Sequence, residues 1–452
     1  MHSDKHRSSF MPDATFHFPR GFLWGTATAA HQVEGNNTNN NWYRWENTPG
    51  KIINNEKSGL ACDWWGGRWK EDFQRAKESG QNAHRLSVEW SRIQPTPDTW
   101  DEKALEKYVD MLRWLVRNDM TPMVTLHHFT DPLWLVDQGG WENPNTPALF
   151  ARFTRKVVEA LKDYVNLWIT INEPNVYVMS GWLLGAFPPG KNDLPKAALV
   201  LENLVRGHAA AYKIIHEQQP NAQVGVAVNY RSLKPARSWN LLDRLPASIQ
   251  DQIFNNAFHS CLKTGKLDLV LKKVKIPEAA NTQDFIGLNY YSRDLVYFDI
   301  TQPGSMFGRL QYPKDAQLSS TGFIANIPEG MWDGLNWAHK FDLPIIITEN
   351  GVEDNTDSMR PRYTIEHIHQ VWKAANYNWR VKGYFHWSLV DNFEWERGWS
   401  QRFGLWGLDV DTQKRIRRTS VDVYEAICKE NGISSEMVAK YAPEISDKLF
   451  PS

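Results

Sequence analysis

Two glutamates invite a chemical reading. Glu173 follows the apolar run Leu167–Asn172 and precedes Pro174, and Glu349 follows Ile345–Thr348 and precedes Asn350-Gly351. Two carboxyls facing one cleft are the equipment for hydrolysing a glycosidic bond. One protonates the leaving oxygen, and the other attacks the anomeric carbon or activates water. A single glutamate at a strand end is more often a neighbour of a helix cap or half of an ion pair. Two of them, each beside an Asn and with Trp387 and Trp395 downstream, favour the chemical reading.

Such groups need elements to carry them. Short apolar or β-branched runs recur along the chain: Phe22–Thr26, Ala83–Val88, Pro122–Leu126, Leu167–Ile171, Val224–Val228, Phe285–Leu288, Ile345–Thr348 and Val381–Phe385. Between them lie stretches with apolar residues at three- and four-residue steps, the helix signal. Residues 101–118 align Leu105, Tyr108, Leu112 and Leu115 in this way; residues 147–165 and 198–216 repeat the pattern. Eight strands alternating with helices predict an α/β fold with a parallel sheet, and eight is the number that closes a single-domain (β/α)8 barrel. An open doubly wound sheet is the alternative. Neither G-x-G-x-x-G nor G-x-x-x-x-G-K-[ST] occurs, which removes the usual dinucleotide and phosphate signatures.

A barrel places its active site at the C-terminal strand ends. Polar and aromatic residues collect there: Gln32 after the first run, Arg85 in the second, His127-His128 at the third, Asn172-Glu173 at the fourth, Asn289-Tyr290-Tyr291 at the sixth, Glu349 at the seventh and His386-Trp387 at the eighth. The fifth, ending near Asn229, reads as quiet. Adjacent strand residues point to opposite faces, so His127 and His128 do not make a joint metal site, and no metal is expected.

Composition sets the outer limits. The 452 residues carry 51 basic and 52 acidic side chains, which leaves no charge surplus to drive binding to nucleic acid or an anionic membrane. Cys62, Cys261 and Cys428 are too few and too far apart for a disulfide framework or a C-x-x-C metal site. No apolar run reaches transmembrane length, and the polar N-terminal stretch lacks a leader's apolar core. A soluble, cytoplasmic protein is expected. The 22 tryptophans fit either sugar-stacking platforms or a large core, and composition alone does not separate the two.

The strings WITINEP (Trp168–Pro174) and IITEN-G (Ile346–Gly351) resemble the two active-site motifs of glycoside hydrolase family 1, the β-glucosidase family. FLWGTATAAHQVEG (Phe22–Gly35), HRLSVEWSRI (His84–Ile93), TLHHF (Thr125–Phe129), GLNYYS (Gly287–Ser292) and WSLVDNFEW (Trp387–Trp395) follow the family's order. The resemblance covers about residues 16–430 as one catalytic barrel and leaves residues 431–452 as a C-terminal extension. It implies a retaining, two-step exo-β-glycosidase, needing no cofactor, that acts on small β-glucosides or oligosaccharides and on galactosides and fucosides. By resemblance Glu173 is the general acid/base and Glu349 the nucleophile. The acid must stay protonated near neutral pH, so Glu173 needs a dry or negatively charged setting. The nucleophile must be ionised, so Glu349 needs a cation and donors, with Arg85 and Tyr291 as candidates and Asn289 in support. Asn172 is similar to the residue that holds the sugar 2-hydroxyl. Gln32, His128 and a charged Glu394 match further sugar contacts, Trp395 an indole donor and Trp387 a stacking floor.

The chain departs from the family pattern in two places. Ile324, beside Phe323, stands where a tryptophan platform for the leaving group is common, and Gly404–Val410 reads GLWGLDV where a Tyr-Val-Asp string is usual. Three other functions compete with this one. A 6-phospho-β-glycosidase is disfavoured because Glu394 would repel phosphate. A catalytically dead sugar-binding protein should have lost one glutamate, and neither is lost. A transglycosylase stays open, because water and sugar acceptors compete for one intermediate.

Overall fold

The computed structural model of the chain describes residues 13–451. The first twelve residues of the polar N-terminal stretch lie outside the described ones. Eight parallel strands form the centre: β1 (Leu23–Ala27), β2 (Ala83–Ser87), β3 (Thr121–His127), β4 (Leu167–Asn172), β5 (Gln223–Pro235), β6 (Phe285–Phe298), β7 (Ile345–Asn350) and β8 (Val381–Trp387). Each pairs in parallel with the next, β8 pairs with β1, and β5 pairs with β6 from Gly225↔Phe285 onward, so the sheet closes on itself. The expected (β/α)8 barrel is what the chain forms. Within the barrel the strands are buried on both faces, which is why they read as continuous apolar runs and not as alternating ones.

The helices on the outer face are α1 (Trp69–Glu78), α2 (Glu102–Arg117), α3 (Thr146–Leu161), α4 (Leu194–Gln218), α5 (Leu241–Asp251), α6 (Ala257–Thr264), α7 (Pro328–His339), α8 (Arg360–Asn376) and α9 (Thr419–Glu430). Caps set their starts. Asp101 accepts from the Ala104 N–H at 3.1 Å, and Asp193 accepts from the Lys196 N–H at 3.0 Å with Pro195 in the first turn. The second cap starts α4 four residues before the apolar periodicity announces it. Most tryptophans serve the core: Trp24, Trp42, Trp90, Trp141 and Trp168 are fully buried, while Trp387 and Trp395 face the cavity described below. All three cysteines are buried and unpaired.

Residues 431–451 are built into the molecule. Gly432–Ser434 pairs antiparallel with Thr15–His17, Asn431 Oδ1 accepts from the Trp24 indole N–H at 2.9 Å, and Phe450 stacks on Phe16 at 4.5 Å.

Candidate active site

The C-terminal strand ends open into a cavity of about 400 Å3. Glu173, Glu349, Asn172, His128, Tyr291, Trp387, Glu394 and Trp395 all line it. Three non-glycine residues on its wall, Phe129, Glu173 and Trp395, hold left-handed backbone at φ of 67°, 44° and 47°. Strain of this kind collects at functional sites.

Arg85, wholly buried on β2, organises one side. Its Nη1 donates to Glu349 Oε1 at 2.6 Å and to the Thr348 carbonyl at 3.1 Å, its Nη2 to Asn172 Oδ1 at 2.6 Å, and its Nε to Thr125 Oγ1 at 3.1 Å. A guanidinium only donates, so Asn172 must turn its oxygen toward Arg85 and its amide N–H toward His128 Nε2, 3.0 Å away. His128 therefore accepts at Nε2 and carries its proton at Nδ1, a buried atom with no partner within the protein. Burial, then Arg85 and His127, hold the His128 pKa well below the usual range, so the ring is neutral. The Tyr291 hydroxyl donates to Glu349 Oε2 at 2.7 Å; burial, then the Glu349 and Glu173 charges, push this phenol well above its ordinary pKa and keep it a donor. Burial raises the Glu349 pKa, and Arg85, Tyr291 and Asn289 oppose the rise.

Glu173 has different company. It is the residue before Pro174, which opens the short helix Pro174–Val178, and it sits at φ 44°, ψ 58°. Proline disfavours right-handed helical backbone in the residue it follows. Glu173 Oε1 accepts from Asn289 Nδ2 at 2.8 Å and from Asn229 Nδ2 at 3.0 Å. The Thr348 hydroxyl, 2.6 Å from Asn289 Oδ1, orients that amide. Among the described residues no cation is paired with Glu173. Burial first, then the Glu349 charge, push its pKa up to about 8, against the two amides and the more distant Arg85. Two carboxyls in one cavity are thus driven apart in acidity, the mark of an acid paired with a nucleophile.

The far end of the cavity is polar on one wall and aromatic on the other. Gln32 Nε2 donates to Asn392 Oδ1, the Phe393 carbonyl and Glu394 Oε2 at 2.9, 2.8 and 3.2 Å, which leaves Gln32 Oε1 buried without a partner. The His128 ring lies near-parallel to Trp387 and Trp395, with centroids 6.0 and 5.9 Å away. Burial, then Glu396 and Glu349, push the Glu394 pKa up to about 8.

His127 points away from the cavity and meets Asp131 at 3.0 Å, on the opposite side from its neighbour. Among the described residues no group of three or more His, Cys, Asp and Glu is placed to hold a metal ion. Asn229, on the strand read as quiet, is the functional residue the sequence reading missed. It is in register with Asn289 across β5 and β6, a relation visible only once the barrel closes. Where a tryptophan platform is common, Ile324 and Phe323 both line the cavity, and the Arg397 guanidinium lies 4.1 Å from the Phe323 ring centroid.

A closed eight-stranded barrel with two buried carboxyls of unequal acidity at its C-terminal rim defines a glycoside hydrolase. The chain belongs to glycosyl hydrolase family 1, whose sequence profile matches residues 14–433. It is similar to β-glucosidase A of Thermotoga maritima, with 36% identity covering 92% of this chain and 98% of the relative. It is also similar to a β-galactosidase of Pyrococcus woesei, with 30% identity covering 93% and 98%. The solved β-glycosidase from Pyrococcus horikoshii superposes with a TM-score of 0.89 at 36% identity, over 95% of this chain and 98% of that one.

Proposed function

We propose that the protein is a retaining exo-β-glycosidase that releases terminal β-D-glucosyl residues from small glycosides and oligosaccharides, with galactosides and fucosides as further substrates. The unlike settings of the two glutamates carry this reading. Glu349, held by Arg85 and Tyr291, attacks the anomeric carbon, while Glu173, with a pKa near 8 and only amide neighbours, gives its proton to the leaving oxygen. The ester that forms has no charge at Glu349. Glu173 then keeps its burial but loses the repulsion that added to its raised pKa, and becomes better able to take a proton from the incoming water. In this reading Asn172, fixed by Arg85, holds the sugar 2-hydroxyl. The bare atoms Gln32 Oε1 and His128 Nδ1 meet the other hydroxyls with Glu394, and Trp387 floors the ring.

Azide rescue tests the two roles. Glu349→Gly leaves a hole beneath the anomeric carbon where azide attacks in a single displacement, so a β-glucoside with a good leaving group should give the α-glucosyl azide. Glu173→Gly keeps the nucleophile and loses the base, so azide should intercept the glycosyl-enzyme and give the β-glucosyl azide. The β-azide from Glu349→Gly, or undiminished turnover in both variants, would overturn the assignment.

A further inference from the structure

One wholly buried carboxyl near the site has no part in the reaction. Glu353 stands four positions after Glu349, on the segment that follows β7. Its Oε1 accepts from the Ser319 hydroxyl, from the Thr321 hydroxyl at 2.6 Å and from the Thr321 N–H at 3.2 Å. Its Oε2 meets no partner within the protein. A buried polar group is costly unless it is hydrogen-bonded, and all three of these bonds come from one loop, residues 318–325. Two neighbours reach the same loop. Asp354 Oδ1 accepts from the Ser320 hydroxyl at 3.2 Å, and the buried Gln401 donates from Nε2 to Thr321 Oγ1 at 2.9 Å.

The loop carries two residues of the catalytic cavity's wall, Phe323 and Ile324. Leu318 and Ala325 bridge its ends, and the Ser319 hydroxyl that donates to Glu353 also accepts from the Ile324 N–H at 2.9 Å. Two hydrogen bonds thus lead from the buried carboxyl to the cavity wall. Residues 320–323 are exposed, so polar ties, more than apolar packing, hold this part of the loop in place. Phe323 is 38% exposed, whereas His128, Asn172 and Trp387 are buried, so this wall stands where the cavity meets solvent. The unpartnered atoms Gln32 Oε1 and His128 Nδ1 are buried. A sugar held by them turns its leaving group outward, toward Phe323.

We propose that Glu353 is a positioning residue. By holding Ser319 and Thr321 it fixes Phe323 and Ile324 as the wall against which the leaving group settles while Glu173 protonates it. Glu353 itself touches neither the substrate nor the reacting atoms. This rests on the β-glycosidase reading of the catalytic cavity. The leaving group is present only until the glycosyl-enzyme forms, so a loosened wall slows the first step and spares the second.

The test compares cellobiose, whose kcat/KM reports the first step, with 2,4-dinitrophenyl β-glucoside, whose good leaving group makes the second step limit kcat and gives a burst of dinitrophenolate. Glu353→Ala and Thr321→Val loosen the tie from its two sides, the latter at an exposed position. For cellobiose kcat/KM should fall about tenfold in Glu353→Ala and about threefold in Thr321→Val, while for the dinitrophenyl substrate KM rises and kcat stays within about twofold. A matching fall in kcat for the dinitrophenyl substrate would mean that Glu353 supports Glu349 or the barrel at large, and would overturn the proposal. So would an unchanged cellobiose rate in either variant. If Glu353→Ala does not fold, Thr321→Val decides alone. Failure of wild type to hydrolyse either substrate would instead refute the reading of the catalytic cavity.

Discussion

Glu394 accepts from Gln32 at Oε2 and lines the cavity, where a sugar's hydroxyls would meet it. Glu394→Gln keeps its shape and removes the carboxyl. Activity on β-glucosides and β-galactosides should fall by about 2–3 kcal/mol of transition-state binding, on the order of a hundredfold in kcat/KM; an unchanged ratio would show that the carboxyl holds no hydroxyl. At this scale the sequence was informative wherever a residue type is costly without a purpose. Arg85 on a buried strand and glutamates at strand ends demand partners. Asn229 was silent because an asparagine at a strand end is also an ordinary turn residue. The raised pKa of Glu394 was hidden for another reason: it depends first on burial, then on Glu396 and on Glu349, and only the fold supplies the burial and brings Glu349 near.

The strands were legible at their starts and not at their ends. β5 and β6 run past the barrel rim to Pro235 and Phe298, where they pair with each other and alternate buried with half-exposed residues. That change of pattern stops an apolar-run reading at Val228 and Leu288, although the strands continue. Elements also constrain one another at the rim. Gly351, just after β7, has no room for a side chain: a Cβ there would lie 1.9 Å from the Trp387 carbonyl at the end of β8. Gly351→Ala should therefore push apart the strand ends that carry Glu349 and Trp387. The expected cost is about 1–3 kcal/mol in denaturant unfolding, with at least a tenfold drop in kcat. Native kinetics in that variant would mean that the two strand ends are not mutually fixed.

For the whole molecule, buried titratable groups shape stability against pH. Burial depresses eight histidines: His31, His84 and His386 to about 3, His208, His259, His367 and His369 to about 4, and His128 well below its usual value. Unfolding lets them take protons below about pH 6.5, so their contribution rises with pH up to that point and is complete above it. The carboxyls act in the opposite sense. Burial raises Glu34 to about 7, and Glu173 and Glu394 to about 8, so the folded state binds protons that the unfolded chain releases. Their contribution is lost as pH rises from about 4.5 through 8. The histidines dominate below 6.5 and only the carboxyls act above it, so the thermal midpoint should peak near pH 6.5–7 and fall toward 8.5. Glu394→Gln should flatten the alkaline side. Calorimetric scans from pH 5 to 9 check this, and a midpoint still rising at pH 8.5 would contradict it.

The left-handed backbone of Glu173 has a consequence for how such a protein changes over generations. A side chain in that conformation costs about 1–2 kcal/mol, which glycine does not incur, and this one is also a carboxyl shut away from water. Glu173→Gly should raise the melting temperature at pH 7 by a degree or two while removing acid catalysis; a lower melting temperature would mean that the bonds to Asn229 and Asn289 outweigh the strain. Two amide bonds are all that the fold offers in defence of this carboxyl, and the reaction supplies the rest. Glu349, by contrast, neutralises a buried arginine, so its loss would strand a charge. When selection for turnover lapses on this scaffold, decay should begin at position 173, with glycine as the residue that settles there, and leave a sturdier barrel that still binds sugar.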